Sequence, residues 1–198
     1  MKHISDSSRV DDRSRRFCWQ LLLLIICVTA IGAVRAAGVQ INQVRTHLQN
    51  DVFYLDARLG YVLTEPMLEA LHKSVPLTFV LNIEVFRQRS YIWDASVAEL
   101  EQRYQLEYLP LTQQYQVRNL NSGALHNLPS LEVALSVLGT IVDLPLLDRE
   151  LLADDETYQA RMRVELDIEE LPLPLRLLSY FTDEWRLRSE WYTWSLQR

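Results

Sequence analysis

One uncharged stretch, Phe17 to Val34, constrains this chain more than any other feature of it. Leu21, Leu22, Leu23, Leu24, Ile25 and Ile26 form its centre, and Arg13, Arg15 and Arg16 crowd the polar segment before it. Basic residues ahead of an apolar run are the entry signature of the secretory machinery, and the positive-inside bias places residues 1–16 in the cytoplasm. A buried core helix would give three arginines no reason to gather at one end. Behind the run, Val34 and Ala36 occupy the places three and one before a scissile bond where signal peptidase needs small or short aliphatic residues. That favours cleavage after Ala36. At about 18 residues the run is also near the lower limit for spanning a bilayer. An uncleaved inner-membrane anchor through residues 17–34 therefore fits as well. Ile26 before Cys27 rules out a lipidation site. The expected division is a cytoplasmic n-region at 1–16, a signal peptide or signal anchor at 17–36, and one extracytoplasmic domain at 37–198.

The chain beyond Ala36 is acidic and free of cysteine, since Cys18 and Cys27 both lie in the apolar run. The whole chain carries −6; removing the six basic and three acidic residues of 1–36 leaves 14 against 23, a net −9. Such a domain is repelled by nucleic acid and by anionic lipid. It has no disulfide, thiol nucleophile or thiolate metal site. Its length allows a hydrophobic core without covalent or metal staples. No nucleic-acid partner is expected.

The domain reads as α+β, mostly antiparallel sheet or sandwich with two or three short helices. Phe53, Leu55, Ala57 and Leu59 alternate with polar neighbours, the period of a half-buried strand. Phe79, Leu81, Ile83 and Val85 do so less cleanly, in a run that extends toward Tyr91 and Trp93. Met162, Val164, Leu166 and Ile168 are set against Arg161, Arg163, Glu165, Asp167 and Glu169, so one strand face is apolar and the other charged. Tyr104, Leu106 and Tyr108, with Tyr115 and Val117, predict another pair of strands, and Pro110 a turn or edge between them. Asn50 and Asp51 read as a turn between strands. Thr64 caps a helix bearing Met67, Leu68, Leu71 and Val75, ended by Pro76; Ser130 caps a second with Leu131, Ala134, Leu135, Leu138 and Ile141. A faint likeness between the two helical segments reads as chance similarity.

No Gly-x-Ser-x-Gly, Ser-x-x-Lys, His-Glu-x-x-His or Walker-type loop occurs. His47, His72 and His126 have no histidine partner at ligand spacing, although His47 and Asp51 are four apart. Asn121, Ser122 and Gly123 are turn chemistry. Asp154, Asp155 and Glu156 read as a loop. Glu165, Asp167 and Glu169 share one strand face that could bind calcium or supply an acid–base pair. Arg161 and Arg163 continue that face, so a solvated face with charge pairs to neighbouring strands is the simpler account. No catalytic residue, cofactor or metal ligand is therefore assigned. The tail is the most distinctive stretch. Pro172 and Pro174 predict an extended path, and residues 185–196 a closing strand with Trp185, Leu187 and Trp191 on one face. Tyr192, Trp194 and Leu196 break that pattern, which predicts a bulge near Trp191. Trp185, Trp191, Tyr192 and Trp194 are the candidate interaction surface, although filling the core and a sheet edge is the more ordinary use of such residues.

Leu171-Pro172-Leu173-Pro174 and the ending Trp185-x-Leu187-x-Ser189-Glu190-Trp191-Tyr192-x-Trp194, behind a signal or anchor, resemble a proteobacterial envelope family, the domain of unknown function 4390. The likeness covers about residues 36–198. It implies no activity, cofactor or catalytic residue, and weakly suggests a membrane sensor histidine kinase as partner. The reading that results is a non-enzymatic binding or adaptor module at the cell envelope, with an envelope protein as partner. The alternative is a periplasmic hydrolase acting on cell-wall or carbohydrate material through Glu165 and Asp167.

Overall fold

Alternating side chains build strands here because an apolar strand face must be buried, and among the described residues nine strands make two antiparallel sheets. A computed structural model describes residues 37–87, 95–153 and 155–196. The apolar run, Ala36, Tyr91, Trp93 and Asp154 lie outside them. Among the described residues no helix is long and apolar enough to cross a membrane.

The elements in chain order are β1 (Gly38–Gln49), β2 (Val52–Val62), α1 (Glu65–His72), β3 (Leu77–Arg87), β4 (Ala95–Leu109), β5 (Gln114–Asn119), β6 (Leu125–Leu128), α2 (Leu131–Leu138), β7 (Thr140–Asp148), β8 (Tyr158–Leu166), α3 (Leu173–Ser179) and β9 (Tyr192–Ser195). The smaller sheet runs β1-β2-β7 and the larger β6-β5-β4-β3-β8-β9. β1 and β2 meet at Asn50 and Asp51, whose φ of 49° and 60° suits a two-residue hairpin turn. α1 carries the chain from the smaller sheet to the larger, and α2 carries it back. The two helical segments thus cross in opposite senses.

Both helices start at the expected caps. Thr64 Oγ1 accepts from the Met67 amide at 3.4 Å and Ser130 Oγ from the Val133 amide at 3.3 Å. Their ends fall earlier than the apolar stripes extend: α1 stops at His72, with Ser74 left-handed at φ 58°, and Ile141 already belongs to β7. Phe53, Leu55, Ala57 and Leu59 of β2 share one buried cluster with Phe79, Leu81, Ile83 and Val85 of β3 and with Met162 and Val164 of β8. Tyr61 meets Phe79 edge-on across the sheets, ring centres 5.2 Å apart. β8 ends at Leu166, and Ile168–Glu170 form a 3-10 turn, so the alternation that continues through Glu169 overruns the strand.

The tail corrects two expectations. Pro172 and Pro174 do not hold an extended path: Pro172 is the N-cap of α3 and Pro174 lies in its first turn, where a helix needs no amide donor. Residues 185–196 do not form one strand either. Asp183–Trp185 is a 3-10 turn, Arg188 bridges to Glu165, and β9 begins only at Tyr192, opposite Met162. Four steps along the tail against three along β8 leave one extra residue, the expected bulge. It sends Trp191 to the face opposite Leu187, although simple alternation predicts that the two share one.

Candidate functional site

The outer face of β8 is a ladder of charges that the tail covers. Arg161 lies opposite Glu84 of β3, and both its Nε (2.8 Å) and Nη2 donate to the Glu84 carboxylate. The indole of Trp191 stacks on the guanidinium groups of Arg161 and Arg163, their carbons 4.6 and 4.5 Å from its ring centre. Trp185 and Leu187 are 4% and 3% exposed and belong to the core. Trp194, opposite Ala160, packs partly buried on the core cluster, and Tyr192 stands at the surface. Of the four aromatic residues, Trp185 therefore lies in the core, Trp191 on the charged face and Trp194 at the sheet edge.

Glu165 and Asp167 line a concavity of ≈ 470 Å³ with Arg103, Arg188 and Trp185. Each carboxylate is already engaged. Glu165 pairs with Arg188 at 3.0 Å and Arg163 at 3.4 Å, and accepts from Asn82. Asp167 accepts from Arg103 at 2.7 Å through one oxygen and from the Glu169 amide at 3.0 Å through the other. Only Glu165 belongs to the strand. The remaining expected residues are placed apart. His72 Nε2 sits 3.1 Å from the Tyr115 hydroxyl, and exposed His126 lies on β6. Asn119, not a bound anion, satisfies the amides of Asn121 and Ser122.

What composition and spacing passed over is the outer face of α3. Leu173 and Leu177 on α3, and Phe181 in the turn just after it, follow one another at i, i+4 spacing and are 68%, 58% and 86% exposed, with Leu178 and Tyr180 at 55% and 50%. The inner side of the helix is held by Leu175 against the core and by buried Ser179, whose hydroxyl donates to the Arg176 carbonyl. Arg176 fixes the start of the helix by donating to the Leu171 carbonyl at 3.1 and 3.2 Å. The Tyr180 hydroxyl donates to Glu169, and that hydrogen bond pushes its phenol above the usual range. The charges around α3 are of both signs, and three carboxylates of the 3-10 turns on either side of it are paired: Glu169 with Arg176 at 3.8 Å, Glu170 with Arg103 at 3.1 Å and Asp183 with Arg186 at 3.2 Å. Leucine and phenylalanine in such a run read as core; only the three-dimensional path shows them bare.

These features define a two-sheet antiparallel α+β domain that carries, among the described residues, a helix with an exposed apolar face. The chain belongs to the family described as domain of unknown function DUF4390, whose model matches residues 36–195. No curated protein and no solved structure matches the chain.

Proposed function

We propose that this chain is an extracytoplasmic, non-enzymatic binding or adaptor module that docks onto an envelope protein through the outer face of α3. The observation that carries this reading is the exposure of four large apolar side chains, Leu173, Leu177, Leu178 and Phe181, within nine residues of α3 and the turn after it. Monomeric soluble proteins seldom leave large side chains bare in one patch, and apolar patches with polar rims mark docking surfaces. A basic-then-apolar N-terminus brings the module to the envelope, and the extracytoplasmic part of a membrane sensor kinase is the first partner to test. The hydrolytic alternative would need Glu165 and Asp167 as a free acid and base, and arginines hold both.

The test is site-specific photocrosslinking in cells, from Leu177 and Phe181 of the full chain, with Gln116 on the opposite part of the larger sheet as control. One identified envelope protein should be captured from the first two positions and not from the third. Leu177→Ser combined with Phe181→Ser should abolish capture at unchanged protein level. Full-level protein that yields no crosslink from either position, or the same products from Gln116, would sink the reading.

A further inference from the structure

We infer that His47, Asp56 and Asp143 form a binding site for a divalent transition-metal cation of the zinc class. The three side chains come from three neighbouring strands, β1, β2 and β7, and one ligand atom from each lies within 4.8 Å of the others. Asp56 alternates with core-facing Leu55 and Ala57, so the cluster stands on the outer face of the smaller sheet, remote from α3 and from the charged face of β8. It is the one such group of three histidine, cysteine or carboxylate side chains among the described residues.

Two distances carry the argument. His47 Nδ1 is 3.6 Å from an Asp56 oxygen, and Nε2 is 3.4 Å from an Asp143 oxygen. Both exceed the 2.7–3.2 Å span of an N–H···O hydrogen bond. One ion takes only one ring nitrogen, so one of these distances is the ligand–ligand separation. Either is close to the roughly 3.3–3.6 Å between two atoms held about 2.0–2.2 Å from a tetrahedral ion, and the third ligand atom lies within 4.8 Å of both. The chemistry agrees with the spacing. A neutral imidazole has one N–H and one lone pair, whereas both neighbours are carboxylates that only accept. In that neutral form one ring nitrogen faces a carboxylate with nothing positive between them. A cation bound at one ring nitrogen resolves the conflict, with both carboxylates as its ligands, and the opposite N–H is left to donate to water. The exposed carboxylates need only a small rotation to close on one ion, which leaves a fourth position for water or a ligand.

The backbone is arranged to keep these groups in place. The β2–β7 register shifts between Leu55 and Ala57, and Asp143 sits in the resulting irregularity with φ 51°. Its amide donates to Asp56 Oδ1 at 2.9 Å, which leaves Oδ2 to face His47. The imidazole also stacks on Tyr54, ring centres 5.7 Å apart. Arg45, directly opposite Asp56 in the ladder, is the cation that would compete. It has the Gln43 side-chain amide at 2.8 and 2.9 Å, whose oxygen accepts from it once that amide is turned to face the guanidinium. Imidazole with carboxylates suits zinc and its neighbours better than calcium, which takes six or more oxygens.

The full chain, purified and freed of metal with a chelator, should be titrated with Co²⁺ and with Zn²⁺. One equivalent of either should bind, Co²⁺ with visible absorption that Zn²⁺ abolishes, and Zn²⁺ should raise the melting temperature. His47→Ala should weaken binding at least tenfold and remove the thermal shift. Asp143→Gly should do the same, and it keeps the fold because glycine accepts a positive φ. His126→Ala should change neither. Absence of binding at equimolar metal, or equal binding by wild type and His47→Ala, would overturn the assignment.

Discussion

Ser189 shows how one hydroxyl can decide where an aromatic motif points. Its backbone amide donates to the Val164 carbonyl at 2.8 Å, as a ladder residue should. The return bond is made by the side chain: Ser189 Oγ accepts from the Val164 amide at 3.0 Å and donates to the Glu190 carbonyl at 2.9 Å. The hydroxyl thus takes the place of a backbone acceptor at the point where the tail gains its extra residue. Beyond it the tail can change face, and Trp191 reaches the guanidinium groups of Arg161 and Arg163. Ser189→Ala should leave a buried amide without its acceptor and cost about 1–3 kcal/mol. Urea denaturation of the full chain should show a lower midpoint with an unchanged slope. A midpoint within error of wild type would mean that the bulge is held by the ladder alone.

At the scale of elements, the contact between α2 and β2 depends on space. Gly139 closes α2 with an ordinary φ of −85°, so conformational freedom is not what requires glycine there. The Leu59 amide donates to the Gly139 carbonyl at 2.8 Å, and a Cβ on residue 139 would lie 2.2 Å from the Leu59 carbonyl oxygen. Backbone cannot yield as a flexible side chain does. Gly139→Ala should therefore cost about 3 kcal/mol or more, or roughly 6–12 °C in melting temperature for a domain this size; an unchanged melting curve would contradict that packing. Local patterns gave much of this level correctly. The alternation in β2 and β8, the hydroxyls of Thr64 and Ser130 and the Asn50-Asp51 turn each act within a few residues, and each was legible. What stayed illegible depends on pairing between distant segments. Nothing local says that β7 returns beside β2 while β8 returns beside β3, and so nothing brought His47, Asp56 and Asp143 together. α3 was hidden for another reason: a proline that breaks a helix interior is welcome in its first turn, and the two cases look alike until the start of the helix is known. Its leucines were equally ambiguous, because an apolar stripe that docks a partner has the same spacing as one that fills a core.

The molecule as a whole is closed by its last residues. β8 lies between β3 and the tail, so removing the tail would expose a nine-residue strand edge together with the apolar side chains beneath it. Trp185 and Leu187 are nearly inaccessible. At about 25 cal/mol per Å² of apolar surface, their burial stabilises by roughly 5 kcal/mol. That is comparable to the whole margin of a marginal domain, about 5–15 kcal/mol. The tail also supplies the Trp191 stack, the Arg188–Glu165 pair at 3.0 Å and the Ser189 bonds. Breaking that ion pair would leave Glu165 with Arg163 and Asn82 only. Deleting residues 185–198 from the full chain should therefore yield protein that is degraded or aggregates through the bared β8 edge, whereas Leu177→Ser on α3 with Phe181→Ser just after it should leave the melting temperature unchanged. The contrast separates the two aromatic-rich parts of the tail: one holds the fold, the other is free to meet a partner. Steady-state level and thermal melting of the two variants, measured side by side, check it. A truncated chain that melts where the wild type does would show that Trp185, Trp191 and Trp194 serve contacts outside this molecule, and would move the docking surface from α3 to them.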